Sequence, residues 1–295
     1  MGPKEVAMKV AILSNDDLTG SLIFSPAIGL PGIEVVTVVF SDTPVKARKS
    51  MLSAALSLRK RMAFRYWLFL VATNGLFAVF SKLATTCRLP GSYGEIESLR
   101  AHATSADIPI HGCADFNAPG LKETLRELGV DLLLIRVSAI LDAELLAIPR
   151  IGTWCVHSSL LPAYGGIAGE FQALRCGEER LGSTVFEVTE RLDEGPPLAQ
   201  VALPVRPGRS LFSHIVANNR AAGRLLGQMV RERANGQLPS ASLLNQGIEP
   251  SYYSWPKEEQ VTDFHRKGWR LVSMGEVLRL GLAALRLGRG FARFS

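Results

Sequence analysis

Residues 152–166 read GTWCVHSSLLPAYGG, an apolar run that delivers a cysteine and one of only five histidines to a turn rich in serine, proline and glycine. If 152–157 is a strand, Cys155 and His157 share a face, because strand side chains alternate with a period of two. At the carboxyl end of a parallel strand, that face borders the crevice where open α/β sheets hold ligands. The proline and glycines that follow shape a loop that a ligand can approach closely. Further on, Asp193 stands in VTERLDEGPP, a loop after another strand run, where a carboxylate can orient an imidazole and stabilise its charged form. Histidine with a carboxylate supports proton transfer. Cysteine, histidine and aspartate together are also the parts of a thiol-based acyl transferase or hydrolase. Against both stand plainer readings, a structural histidine and a buried inert cysteine.

The elements that must position these residues follow from periodicity. Met8–Ser14 and Glu34–Phe40 are β-branched runs separated by enough chain for a helix, which is how a parallel βαβ unit begins. Asp107–His111 is predicted as a short strand, Pro119–Leu128 as a helix with proline near its start, and Val130–Arg136 as a buried central strand. Asp142–Ile148 supplies one or two helical turns. Ala168–Cys176 reads as a helix, Ser183–Val188 and Leu198–Val205 as strands, and Ser210–Ala234 as a long helix. The expected fold is α/β, a Rossmann-like and mostly parallel sheet over residues 1–205. Residues 206–295 form a smaller C-terminal extension of a helix, the SYYSWP turn region and a basic amphipathic tail with Arg279, Arg286, Arg289 and Arg293 among leucines.

With 295 residues, 47% of them hydrophobic and 20% charged, the chain can bury a full core. Its four cysteines are far apart without a C-x-x-C pair, which favours reduced thiols in a cytoplasmic setting over a disulfide framework or structural zinc, and no metal site is expected. The N-terminal residues run from a polar start directly into a strand, unlike a signal peptide. Met62–Phe80 is strongly apolar, yet its uninterrupted core is shorter than the roughly 20 residues a bilayer requires. A buried or interface helix is expected there, with membrane-surface attachment and a homodimer contact as the other uses. The first βα turn, SNDDLTGS, lacks both the G-x-G-x-x-G fingerprint and the P-loop, so dinucleotide and ATP binding lose support. Asn15, Asp16 and Asp17 in that turn read as helix caps or as ligand contacts. The net charge of +6 favours anionic partners without fixing one.

HSSLLPAYGG followed by LDEGPPLAQ resembles the folate-dependent formyltransferases, a family that includes methionyl-tRNA, glycinamide ribonucleotide and amino-sugar N-formyltransferases. The family pattern, N-x-H-x-S-L-L-P-x-x-x-G and later D-x-G-x-x-x-x-Q, is matched by His157, Ser159, Leu160, Leu161, Pro162, Gly166, Asp193, Gly195 and Gln200. The resemblance implies formyl transfer from 10-formyltetrahydrofolate to a primary amine, with His157 stabilising the oxyanion or moving protons and Asp193 holding it. It places the pterin against Ser138, Ala139, Ile140 and Leu141 and against Thr189, Glu190, Arg191 and Leu192. Tyr164, Gly166 and Glu170 fall on the acceptor side.

One position departs from the pattern. Where the family has asparagine two residues before the histidine, this chain has Cys155. An amide donates a strong hydrogen bond to a developing oxyanion, and a thiol a weak one. The readings left open are a formyltransferase that acts on a small-molecule amine such as an amino sugar nucleotide or an amino-acid-derived metabolite, a Cys155-dependent acyl transferase or hydrolase, and a catalytically silent folate-pocket protein. The region after residue 206 is shorter than a tRNA-binding domain of this family, so no nucleic-acid partner is expected.

Overall fold

A computed structural model of the chain describes residues 7–41, 59–86, 98–137, 139–190, 193–237, 244 and 248–276. Expectations for Ser138, Arg191, Leu192 and the basic tail from residue 277 fall outside the described residues.

Seven strands form one sheet: β1 (Met8–Ser14), β2 (Ile33–Ser41), β3 (Ile110–Cys113), β4 (Leu132–Arg136), β5 (Gly152–His157), β7 (Arg180–Glu187) and β8 (Pro197–Pro204), in the order β3-β2-β1-β4-β5-β7-β8. The first five run parallel, and β7 and β8 are antiparallel to their neighbours. This is the mostly parallel Rossmann-like sheet expected from the sequence. Leu132, Leu133 and Leu134 are all fully buried, because the sheet is covered on both faces and β4 lies at its centre. Burying each such side chain contributes about 2 kcal/mol.

The helices divide the core. On one face α1 (Leu18–Phe24), α3 (Leu99–Ser105) and α7 (Leu211–Ala234) pack on Val10, Ile12, Leu132, Leu134, Trp154 and Val156. On the other, α4 (Pro119–Leu128) and α5 (Ala143–Leu146) cover Ala11, Leu13, Leu133 and Ile135. A third cluster joins α2 (Phe64–Thr86), α6 (Gly169–Cys176), the start of α7 and α8 (Glu258–Arg266) through Tyr66, Phe69, Phe171, Phe212 and Phe264. α7, which follows the boundary the sequence places at 205/206, packs against the same sheet as α1. Among the described residues no helix is long and apolar enough to cross a membrane.

Several element bounds differ from expectation. β3 covers Ile110–Cys113 rather than Asp107–His111, since Asp107 takes a left-handed turn (φ 53°) and pairing with Val38–Ser41 sets the register. The SYYSWP segment is more than a turn. Its Tyr252–Tyr253 (β9) pairs in parallel with Gly165–Gly166 (β6), the Gly165 N–H donating to the Ser251 carbonyl and the Ile167 N–H to that of Tyr253, each at 2.8 Å. A segment distant in sequence is thereby tied to the loop that follows His157.

Candidate active site

The parallel strands end in one crevice. β5 carries Cys155 and His157 to its end, and the loop from Ser158 to Ala168 turns back over them. That loop is held from β7 and β8. The Thr184 hydroxyl donates to the Ser159 carbonyl at 2.7 Å and accepts from the Leu161 N–H at 2.9 Å. The Gln200 amide donates to the Leu161 carbonyl at 2.7 Å and to Thr184 Oγ1 at 3.0 Å. Ser159 Oγ donates to the Ala163 carbonyl at 3.0 Å. All three side chains are buried. They fix the backbone as a ladder would in the stretch from Ser159 to Ala163, ahead of the β6–β9 pairing.

His157 lies between two acceptors. Its Nε2 is 3.3 Å from the Tyr164 carbonyl, and its Nδ1 is 3.8 Å from Asp193 Oδ1. A carbonyl only accepts, so this contact assigns the proton to Nε2 and leaves the Nδ1 lone pair facing Asp193. The gap to the carboxylate exceeds a direct hydrogen bond and suits a group placed between them. Burial lowers the His157 pKa from its ordinary value, and the cation of Arg136 adds to this, while Asp193 and the Tyr164 carbonyl act the other way. The resting imidazole is therefore neutral at pH 7, a proton acceptor rather than a preformed imidazolium.

Asp193 is positioned by strained backbone. Its φ is 55°, and its second oxygen accepts the Gly166 N–H at 3.1 Å. Gly166 itself has φ +84°, and a Cβ there would come within 2.3 Å of the Tyr253 carbonyl and 2.8 Å of the Tyr252 ring. Gly195 is required for a similar reason, a Cβ on it falling 1.7 Å from the Glu187 carbonyl. These close approaches account for two glycines of the motif.

Cys155 points to the face of β5 that packs beside Ile135 and Val188. Burial, helped by the charge of Asp193, pushes its thiol up to about 12, so it is protonated at neutral pH. A protonated thiol is a poor nucleophile and a weak donor.

The other expected residues separate into those that reach the crevice and those that do not. Ala139, Ile140 and Leu141 follow β4, and Asn117 clamps this loop by donating to the Ile140 carbonyl at 2.9 Å and accepting the Asp142 N–H at 3.0 Å. Ile140 is left 69% exposed, an apolar side chain held beside fixed backbone edges. Thr189 and Glu190 leave the end of β7, whose last turn is anchored by the Val188 N–H on the Thr153 carbonyl at 2.8 Å. A rigid loop with an exposed aliphatic group and backbone donors and acceptors fits a flat heterocycle with polar edges. Tyr164 presents its carbonyl to His157, whereas its phenol donates to Glu178 at 2.6 Å and its ring stacks on Tyr253. Glu170 is buried on α6 and accepts from the Asn218 and Asn219 amides at 3.2 and 3.3 Å, burial raising its pKa.

In the first βα turn the capping reading holds for Asp17, which accepts the Gly20 N–H at 2.7 Å. Asp16 pairs with Arg100 at 2.7 Å. Sequence reasoning missed Arg136, which ends β4, lies 3.4 Å from Asp17 and acts electrostatically on Cys155, His157 and Glu170. It also missed Tyr252, 61% exposed beside Gly166 and within electrostatic reach of Asp193. An arginine closing an otherwise apolar strand was the available signal for the first. The second had none, because its position depends on β9 pairing with β6.

The chain matches the family model described as formyl transferase over residues 105–221. It is 30% identical over 174 residues to the methionyl-tRNA formyltransferase of Phenylobacterium zucineum, covering 58% of this chain and 55% of that one. It is 37% identical over 111 residues to that of Rhodopirellula baltica, covering 37% and 33%. The chain thus spans about half the length, or less, of these curated relatives. In three dimensions it is similar to glycinamide ribonucleotide transformylase 1 from Symbiobacterium toebii (TM-score 0.54, 19% identity, 82% of this chain and 95% of that one). A formyltetrahydrofolate deformylase from Pseudomonas syringae pv. tomato shares the fold too (TM-score 0.54, 15% identity, 80% and 64%). The matched residues 105–221 contain both His157 and Asp193, so this part of the chain is similar to the formyl transferases.

Proposed function

We propose that this protein transfers a formyl group from 10-formyltetrahydrofolate to the primary amine of a small-molecule acceptor, an amino sugar nucleotide or an amino-acid-derived metabolite. The observation that carries the reading is the opposition of His157 Nδ1 and Asp193 Oδ1 at the mouth of a family-matched strand and loop. The donor supplies an activated formyl carbon. Ala139, Ile140, Leu141, Thr189 and Glu190 hold its ring from two loops. His157 accepts the amine proton at Nδ1 as attack proceeds, and Asp193 stabilises the imidazolium so formed. His157 then returns that proton towards the leaving nitrogen.

The substitution of Cys155 for asparagine leaves the oxyanion without one strong donor, and turnover is correspondingly low. The protonated thiol argues against a Cys155 nucleophile. The free cysteines among the described residues, Cys113, Cys155 and Cys176, fit a reducing cytoplasmic setting.

Two measurements test the reading. Titration with a 10-formyltetrahydrofolate analogue is expected to saturate in the micromolar range, and an absence of binding at high micromolar concentration removes the folate pocket. Release of tetrahydrofolate is then followed with a panel of amines that includes nucleotide-linked amino sugars, amino acids, methionyl-tRNA and glycinamide ribonucleotide. Preference for either of the last two replaces the small-metabolite acceptor with the one named for the relatives.

A further inference from the structure

A helix that is apolar all round is normally buried on all sides, and one on a protein surface normally has a polar outer face. α2 meets neither condition. Its inner side contributes Tyr66, Phe69 and Phe77 to the third core cluster. Its outer side, at three- and four-residue spacing, leaves Phe64 46%, Leu68 51% and Val71 40% exposed, and continues through the exposed Ala72, Gly75 and Ala78. Arg59, Lys60, Arg61 and Arg65 are all exposed at the start of this stripe, and residues 59–86 contain no acidic residue at all. The Glu258 carboxylate accepts the Phe64 N–H at 2.6 Å.

We propose that the outer face of α2 is a docking surface for an anionic phospholipid bilayer. The helix lies along the surface, with Phe64, Leu68 and Val71 among the acyl chains and the four cations on headgroup phosphates. Cations clustered at one end of an apolar stripe match the layering of a membrane interface. From Phe64 to Ala78 the stripe is about 22 Å long. At a helix width of roughly 10 Å it offers about 220 Å², far short of the roughly 800 Å² per partner that a stable protein interface buries.

The test uses the full chain with vesicles of equimolar phosphatidylglycerol and phosphatidylcholine, or of phosphatidylcholine alone, at low and physiological salt. Co-sedimentation with the anionic vesicles only, reduced by salt, is expected. Arg61→Glu with Arg65→Glu is expected to weaken it by at least about tenfold, and Leu68→Glu with Val71→Glu to abolish it. Both variants should keep the wild-type circular dichroism spectrum and thermal midpoint, since all four positions are exposed. They retain the basic segment after residue 276, so undiminished binding by either variant assigns the contact elsewhere and overturns the proposal. So does a wild-type dimer that Leu68→Glu with Val71→Glu converts to monomer. Solution formyl transfer is unchanged in these variants, which keeps this result separate from the fate of the proposed reaction.

Discussion

Asp193 stands opposite His157 with Oδ1 3.8 Å from Nδ1, while its other oxygen is fixed by the Gly166 N–H at 3.1 Å. One carboxylate therefore joins the loop after β7, the loop after β5 and the candidate base. Replacing either member removes proton transfer without opening the core. His157→Ala and Asp193→Asn are each expected to lower kcat by about 100- to 10,000-fold. The analogue should still bind both variants within a few-fold of wild type, and retention of more than a tenth of the wild-type kcat in either would rule out the dyad.

Cys155 yields a prediction in two directions. Because its thiol is pushed up to about 12, alkylating reagents should leave it unmodified at pH 7 and Cys155→Ala should retain activity. Cys155→Asn restores a strong amide donor and is expected to raise kcat, by up to roughly 100-fold. Single-turnover kinetics with both variants decide the matter, and loss of activity in Cys155→Ala restores the nucleophile reading.

The acid limb of the pH profile follows from the direction of the His157 shift. Burial and Arg136 lower its pKa, and the neutral form is the active one, so kcat/KM stays level as pH falls through the ordinary histidine value of about 6.5 and drops only below it. Removing the cation in Arg136→Met leaves Asp17 capping α1 and moves the limb to higher pH. An unmoved limb in that variant would show that Arg136 has no electrostatic role at the site.

Glu170 gives a stability prediction. Burial raises its carboxyl in the folded protein, so its favourable contribution holds below the unfolded value of about 4.3 and is lost as pH rises through the raised one. Glu170→Gln keeps an acceptor for Asn218 and Asn219 without the buried charge. Its thermal midpoint should match wild type near pH 4 and exceed it by a few degrees at pH 8, where each unit of raised pKa costs about 1.4 kcal/mol. A variant less stable than wild type at pH 8 would place a charge-dependent role on Glu170.

The strand carrying Cys155 and His157 and most of the sheet were legible in the residue pattern, and the family resemblance put His157 and Asp193 in one site. Periodicity and a spaced motif are local signals, and the strands after Glu34, Val130 and Gly152 have no strong competing propensity. The sequence also put Cys155 where the family resemblance implies an asparagine. The protonated thiol, the neutral resting state of His157, the capping role of Asp17 and the approach of Arg136 to the site emerge only on folding. Those are effects of burial and of charges brought together from β1, β4, β5 and the loop after β7, and no single segment encodes them. The same holds for β9. Two tyrosines in an irregular stretch become a strand only because Gly165 and Gly166 leave room for them. The exposed side of α2 is the converse case, since an apolar composition fixes a helix but cannot say which of its faces the rest of the fold leaves uncovered.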